Sequence, residues 1–308
     1  MSINEIIFGD AKFTVDVIEA CTKFDIDISV GGQTEISMVF SDPGFRLLDA
    51  NVFQRKTLFQ WKDLKCEVAV IEAGDTPAPQ GVQIKARSYA AQKFKRNKEA
   101  VVRRNISPTN WLIAEANTVG ATVVGQASAA RSQIARINTE NEQQSTWDVM
   151  TTLAGELGYL FFECAGVFYF GQPSWLVTRA SAKYGFVWPD NEDTSTISIL
   201  KTPSCRASEN AKEAATVDVL VDRAIGTSLR PGDPVTFSGV PLFAGTYMVS
   251  GVSWSEIHPS EPVSVSLTTP IDPEKNTKTA KKQKAITEAD GPALLIDAAA
   301  LTAWEASA

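Results

Sequence analysis

Hydrophobic and polar residues alternate over short runs in the first 90 residues of the chain. The first two runs are Phe24, Ile26, Ile28 and Val30, and then Ile36, Met38 and Phe40. This period of two predicts half-buried β-strands, and Gly31-Gly32-Gln33 between them predicts a hairpin loop. We expect a three-residue loop, residues 31–33, because it keeps both apolar faces on one side. That loop pairs Ile28 with Ile36 and Phe24 with Phe40.

Two more alternating runs follow in the same part of the chain, at residues 66–70 and 82–86. A cluster of turn-forming residues at 74–81 separates them. Several short, half-polar strands predict a small antiparallel β-barrel or sandwich. Residues 44–53 are expected to cross one end of it as a short helix or loop.

The period changes to that of a helix in the middle of the chain. Ser145 and Asp148 form an S-x-x-D pattern that caps a helix start, and Gly158 provides a left-handed stop. One face of this helix carries Trp147, Met150, Ala154 and Leu157. Two short strands, residues 159–164 and 167–170, are predicted to follow as a hairpin around Ala165-Gly166.

A second helix with similar start and stop signals is predicted upstream. Ser107 precedes Pro108, residues 109–119 form the helix, and Gly120 follows it. Ser107 and Gly120 are separated by the same thirteen positions as Ser145 and Gly158, and a short β-run follows at 121–124. This is compatible with an internal duplication and equally with two independently capped helices in an α+β domain.

From about residue 197 the alternation returns to a period of two and indicates a second small β domain. Its strands are predicted at 217–221, 235–237, 247–249, 252–254 and 263–267, with turns at 229–233 and 243–246.

Residues 274–288 carry five lysines and have the composition of a linker. A last helix is predicted from about Pro292, with Leu294, Leu295, Ala298, Leu301 and Trp304. It is too short to be stable alone, so we interpret it as a tail that becomes helical on a partner.

Charge is distributed unevenly over the 308 residues. The chain has 29 Lys and Arg against 36 Asp and Glu, a net charge of −7, which argues against a protein that grips nucleic acid over most of its surface. Residues 85–104 are the exception, with one acid and eight basic residues: Lys85, Arg87, Lys93, Lys95, Arg96, Lys98, Arg103 and Arg104. This basic strip is either a solvated strand-to-helix connection or a docking surface for an acidic partner subunit, with nucleic acid the weakest alternative.

Residue types that carry chemistry are sparse. The single histidine, His258, lies in a Pro-bounded loop and is interpreted as an exposed turn residue. Cys21, Cys66, Cys164 and Cys205 lack C-x-x-C pairing, which indicates free buried thiols in a reducing compartment.

Acidic residues form no recognisable site. The turn at 190–193 lacks the spacing of a calcium loop and is interpreted as solvated. Asp25 and Asp27 are interpreted as part of the solvent-exposed face of their strand. Phosphate-binding loops and nucleophile elbows are absent, whereas an acid/base pair of distant carboxylates stays open.

We therefore assign no catalytic, cofactor-binding or metal-binding residues and expect no cofactor. No apolar run approaches the ~20 residues that span a bilayer, and residues 1–13 do not form a signal peptide, so neither membrane insertion nor export is expected.

The middle of the chain resembles the phage tail baseplate hub family, also described as late-control protein D-like. The resemblance is carried by Ser145-Thr146-Trp147-Asp148-Val149, Leu153-Ala154, Leu157-Gly158-Tyr159 and Val167-Phe168-Tyr169-Phe170-Gly171-Gln172-Pro173. Residues 229–270 are similar to the closing β domain of that family, and the whole resemblance covers about residues 10–272.

The resemblance implies an α+β, mostly β fold in which two small tube-like antiparallel β-barrel domains flank an α+β domain with two capped helices. The expected boundaries are 1–95 for the first tube-like domain, 96–192 for the α+β insertion, 193–272 for the second tube-like domain and 273–308 for the linker and tail.

It also implies a function. Three copies would form a ring of six similar domains that joins a hexameric tail tube to a trimeric spike or tip, around a channel for genome ejection. The expected partners are a tail tube or distal tail protein, a spike or tip protein and a tape-measure protein, with DNA only in transit. The expected location is the virion tail baseplate, after assembly in the host cytoplasm. Residues 85–104 and 290–308 are the candidates for partner docking.

Two other functions compete with a non-enzymatic hub. One is a cell-wall-degrading enzyme, a carboxylate-based glycosidase or peptidase, and the other is a carbohydrate-binding module of a tail tip.

Overall fold

The computed structural model describes residues 6–9, 11–12, 17, 19–42, 56–61, 64–76, 81–139, 142–179, 184–189, 196–207, 215–222, 228–255 and 262–273. The predicted elements at 44–53 and 292–304, the linker at 274–288, His258 and the acidic turn at 190–193 lie outside these residues.

Fourteen strands from both ends of the described chain form one large sheet. They are β1 (Ile6–Phe8), β2 (Ala11–Lys12), β3 (Cys21–Ser29), β4 (Glu35–Ser41), β5 (Thr57–Trp61), β6 (Leu64–Thr76), β7 (Gly81–Ser88), β13 (Tyr184–Val187), β14 (Ile197–Ser198), β15 (Ser204–Arg206), β16 (Thr216–Val221), β17 (Pro234–Ser238), β18 (Gly245–Trp254) and β19 (Val263–Thr268).

The middle of the chain, which we call the middle segment, contains the described helices and two smaller sheets. Its elements are α1 (Tyr89–Arg96), β8 (Val101–Ile106), α2 (Pro108–Thr118), β9 (Thr122–Gly125), β10 (Arg131–Arg136), α3 (Thr146–Leu157), β11 (Leu160–Cys164), β12 (Val167–Gly171) and α4 (Pro173–Arg179). A 3₁₀ helix, Pro241–Phe243, lies between β17 and β18.

Strand β18 joins the two β segments into a single sheet. Its first half pairs with β17 and its second half with β3, while β19 pairs along the other edge. Val252 lies opposite both Ile28 and Val265, so the buried rows of the two segments are continuous. The mostly β, α+β fold class is confirmed, and the described strands do not close into a barrel.

Several strand boundaries differ from the predicted ones. Residues 247–249 and 252–254 belong to one ten-residue strand, β18, which absorbs an irregularity between Val249 and Gly251. The predicted turn at 243–246 is partly strand, because β18 begins at Gly245. Strand β6 continues through Thr76, which lies opposite Gly81, so the predicted turn at 74–81 is too long. The turn at 229–233 is confirmed, with Gly232 at φ +93°.

Strand β13 adds a parallel element to the mainly antiparallel sheet. Residues 184–187, which we assigned to the α+β insertion, pair in parallel with both β14 and β17. The large sheet therefore includes chain upstream of residue 193.

The register predicted for the first hairpin is wrong by two residues. Phe24 lies opposite Met38 and Ile26 opposite Ile36, so Ile28 does not pair with Ile36, nor Phe24 with Phe40. Residues 30–34 form the connection instead of residues 31–33. A shift of two keeps the apolar face buried, and β11–β12 provides the hydrogen bonds that hold the longer loop.

The helix and hairpin predictions for the middle segment are confirmed. Ser145 Oγ accepts a bond from Asp148 N, Ser145 N donates to Asp148 Oδ2, and Gly158 ends the helix at φ +69°. Ser107 Oγ caps α2 by accepting a bond from Asn110 N, and Pro108 is the first residue of that helix. Strand β9 pairs in parallel with β12, so both helix-then-strand units contribute to one three-stranded sheet.

The β11–β12 hairpin lies between two hydrophobic cores. Phe162 and Cys164 belong to the core of the large sheet, whereas Phe161, Phe168 and Phe170 belong to a second core formed with the helices. The rings of Phe162 and Tyr169 stack at 4.8 Å on the first side. A hairpin that is apolar on both faces therefore connects the middle segment to the large sheet.

We expect Ser145→Ala to lower the free energy of unfolding by about 1 kcal/mol, because the backbone donor at Asp148 loses its acceptor. Ser132→Ala, at an exposed position of β10, is the matched control and should change stability by less than about 0.5 kcal/mol. Urea denaturation followed by circular dichroism measures both. Equal stabilities of the two variants would contradict the role of the cap.

Candidate functional site

A buried carboxylate connects the middle segment to the first β segment. Glu163, on β11, is fully buried and accepts a bond from Thr34 N at 2.9 Å and another from Gly166 N. Glu163 N donates to Gly32 O at 3.0 Å, and Ala165 N donates to Thr34 Oγ1 at 2.9 Å. The turn of one hairpin is thus hydrogen-bonded to the loop of another, 129 residues apart in the chain.

Burial dominates the electrostatics of this junction. It raises the pKa of Glu163, although the bonds from Thr34, Gly166 and Ser88 act in the opposite direction. Burial also raises the pKa of Cys164 to about 12 and that of Cys66 well above its ordinary value. These thiols are therefore poor nucleophiles, and the junction has a structural character.

The four cysteines are unpaired, as expected from their spacing. Cys66 and Cys164 are buried, whereas Cys21 and Cys205 are only partly so. Asp25 is partly exposed and Asp27 exposed on the outer face of β3, which confirms their assignment to its solvent-facing side.

An exposed two-stranded ribbon, β8 paired with β10, extends along the middle segment. Isolated ribbons of this kind are only marginally stable in water, so something must hold it. Arg136, which is 4% exposed, donates to Glu115 Oε2 at 3.0 Å, to Glu99 O at 2.5 Å and to Thr146 Oγ1. A second ion pair joins Arg131 to the buried carboxylate of Glu156.

The ribbon presents a partly apolar outer face. Ile134 and Arg136 point to the core, and the strand alternation places the side chains of Val102, Arg104 and Ile137 on the opposite side. Val102 is 42% exposed and Ile137 36% exposed. The two strands contain four arginines and no acid.

The basic strip is divided among several elements. Lys85 and Arg87 lie on β7, Lys93, Lys95 and Arg96 on α1, Lys98 in the following connection, and Arg103 and Arg104 on β8. Part of the strip serves the fold itself. Arg87 pairs with Glu35 at 3.0 Å, and the Lys95 ammonium lies 4.7 Å from the centre of the Trp147 ring, where burial lowers its pKa. Arg103 lies 3.8 Å from the buried Glu115, whereas Arg104 is exposed on the outer face of the ribbon.

The groups that hold this region together were not singled out from the sequence. Glu163 interrupts an apolar β-run, Phe161-Phe162-Glu163-Cys164. Because a carboxylate in a buried strand needs hydrogen-bond donors, this position in the sequence indicates a buried, hydrogen-bonded group. Arg136 has no comparable local pattern, because its partners come from distant elements.

No cluster of three or more His, Cys, Asp or Glu side chains that could hold a metal occurs within the described ranges. In the same part of the chain, no helix combines the length and apolar character needed to cross a bilayer.

The fold is shared with solved tail proteins of the phage type. The 43 kDa tail protein of prophage MuSo2 from Shewanella oneidensis matches with a TM-score of 0.62 and 10% identity, covering 88% of this chain and 100% of that one. A tail protein from Neisseria meningitidis matches with a TM-score of 0.59 and 11% identity, over 86% of this chain and 95% of that one.

A third similar structure is an E. coli component of the type VI secretion system, described as similar to the T4 bacteriophage tail proteins gp27 and gp5. It matches with a TM-score of 0.59 and 12% identity, over 86% of this chain and 76% of that one. The resemblance noted from the sequence is thus confirmed at the level of the fold. The sequence matches no protein-family model and no curated protein.

We expect Glu163→Gln to flatten the pH dependence of stability. Between the ordinary value of 4.5 and the raised pKa of Glu163, the folded state holds a proton that the unfolded state has released, so stability falls as pH rises. Glutamine is neutral at every pH and removes this contribution. Urea denaturation from pH 4 to 8 measures it, with Glu67→Gln at an exposed position as control. The same slope in wild type and Glu163→Gln would refute the assignment.

Arg136→Ala should lower the free energy of unfolding by about 3 kcal/mol, because Glu115 stays buried without its close ion-pair partner. Arg96→Ala, at an exposed position of α1, should change it by less than about 0.5 kcal/mol. Limited proteolysis would follow the ribbon directly, and cleavage within residues 101–106 should accelerate only in the first variant. Equal cleavage rates would mean that Arg136 does not anchor the ribbon.

Proposed function

We propose that this chain is a structural hub subunit of a phage-type tail. Three copies form a ring with pseudo-sixfold symmetry, which joins a hexameric tail tube to a trimeric spike or tip and surrounds the channel for genome ejection. The observation that carries the proposal is a fold shared with phage-type tail proteins over 86–88% of this chain.

The layout of the large sheet supports a ring. Two β segments per chain and three chains give six β units, the number needed to face a hexameric tube. Among the described strands, β2, β14 and β15 each have a single partner, so they are the sheet edges available to a neighbour. Edges of this kind are suited to repeated contacts between identical copies.

Exposed apolar residues lie at one end of the sheet, where the edge strand β14 and the inner strand β17 both finish. Val187 of β13 lies opposite Ser198 of β14 and Ser238 of β17, so the chain following both strands emerges at the same end of the sheet. Leu200 follows the end of β14 by two residues, and Leu242 follows the end of β17 by four. Their side chains are 51% and 84% exposed. We infer that these two apolar side chains at the end of the sheet contact the neighbouring subunit.

The buried carboxylates support a structural role over a cell-wall-degrading enzyme. A glycosidase needs two convergent carboxyl groups about 5–10 Å apart and open to substrate. Glu115, Glu156 and Glu163 are buried, and each is bonded to an arginine or to backbone donors of the fold. Their bonding holds elements together, and we propose that the chain has no catalytic activity, cofactor or metal.

The ring belongs to the tail of the virion, after assembly in the host cytoplasm. It binds a tail tube or distal tail protein on one side and a spike or tip protein on the other, with a tape-measure protein as a further partner and DNA only in transit.

Light scattering and particle imaging test the ring. We expect the protein to reach three times the mass of one chain in solution or on its tail partners, and to occupy the end of the tail.

Leu242→Glu should reduce trimer formation by about tenfold or more, because it places a charge in an apolar contact. Ile113→Glu, at an apolar position of α2 that is 40% exposed, is the matched control.

A single chain per site in the assembled particle would refute the ring. Hydrolysis of peptidoglycan in a zymogram, absent from a heat-denatured sample, would instead support the enzyme.

A further inference from the structure

We infer that the ribbon β8–β10 is the docking surface for the acidic C-terminal tail of the same chain, residues 290–308. The inference concerns the isolated subunit and does not depend on the tail-hub function. It links the tail, one of the two predicted docking candidates, with the part of the other candidate that lies on β8, residues 101–104.

Charge is complementary between the two regions. The ribbon carries Arg103, Arg104, Arg131 and Arg136 and no acid. Arg131 and Arg136 pair with the buried carboxylates of Glu156 and Glu115. Arg103 lies 3.8 Å from Glu115 as well, so Arg104, exposed on the outer face, is the ribbon arginine without a carboxylate in the ion pairs of the described residues. Residues 290–308 contain Asp290, Asp297 and Glu305 and no Lys, Arg or His, a net charge of −3. Attraction between them is strongest at low ionic strength.

Apolar surface is complementary as well. On the outer face of the ribbon, Val102 lies opposite Ala135 and Ile137 follows it by two residues, and both are more than one third exposed. Leu294, Ala298 and Leu301 follow a helical spacing in the tail, with Trp304 one turn further. A segment of this length is unstable as an isolated helix and gains stability only when its apolar face is covered.

The described chain ends beside α4, which belongs to the same middle segment as the ribbon. Asp272, near its last described residue, accepts bonds from Ser174 N at 3.0 Å and from Ser174 Oγ at 2.7 Å, at the start of α4. Residues 274–289 then span up to about 50 Å at ~3.3 Å per residue. The length of this extended segment exceeds twice the radius of gyration of a 100-residue domain, which is ~13 Å. A tether of this length gives a millimolar effective concentration, which favours the tail of the same chain over that of another.

Photo-cross-linking of the full-length protein tests the inference. A benzophenone amino acid replaces Val102 or Ile137, with Ile113 as the matched exposed apolar position outside the ribbon. We expect the first two positions to cross-link to peptides from residues 290–308 within one chain, giving products of monomer mass. The Ile113 position should give no such product.

Charge substitutions test the electrostatic part. Arg104→Glu changes an exposed side chain, so we expect an unchanged circular dichroism spectrum and a cross-link from Val102 reduced by about fivefold. Asp297→Lys combined with Arg104→Glu should restore part of the yield. As an independent measurement, a synthetic peptide of residues 290–308 added to a chain ending at 289 should cross-link to the same two positions.

Three results would overturn the inference: cross-links from Val102 and Ile137 to other segments, no cross-link to the tail at either position, or tail cross-links only at dimer mass, which would assign the tail to a second copy. Because all of these are measured on the isolated subunit, a failed ring would leave them unaffected.

Discussion

The carboxylate of Glu163 holds together parts of the chain that hydrophobic contact alone would leave free to slide. Apolar packing is non-directional, so two hairpins can share a core in several registers. The buried carboxylate requires donors at defined positions, and it finds them at Thr34, Gly166 and Ser88. Because an unsatisfied buried carboxylate is strongly unfavourable, the junction tolerates one arrangement of the hairpin loop against β11–β12.

Aromatic residues on both faces of the β11–β12 hairpin follow from its position between the two cores. A hairpin at the protein surface has one polar face, whereas this one has Phe162 and Tyr169 on one side and Phe161, Phe168 and Phe170 on the other. The same position explains the hairpin register that the sequence did not predict. Residues 30–34 bond to the middle segment, a constraint from 129 residues away that no local turn rule contains. The loop determines the register of an isolated hairpin, whereas the register of β3–β4 also depends on its bonds to the β11–β12 hairpin.

Local chemistry predicted the local elements well. The capped helices and the β11–β12 turn depend on residues within one or two turns of each other, such as Ser145 with Asp148, and their patterns were sufficient. The shared sheet, the strand β13 beside β17 and the anchoring of the ribbon by Arg136 depend on residues that meet only after folding. Those features have no local pattern, and the alternation of β3 or β18 is the same whether each belongs to its own barrel or to a common sheet.

The pairing of β18 with β3 also has a consequence for biosynthesis. The edge of β3 that receives Gly251–Trp254 emerges from the ribosome more than 220 residues before its partner. At translation rates of about 5–20 residues per second, that edge waits on the order of ten to forty seconds. During this interval it is an open template for strands of other nascent chains. Charges at Lys23, Asp25 and Asp27 along β3 disfavour such mispairing until β18, in the last fifth of the 308 residues, has been synthesised.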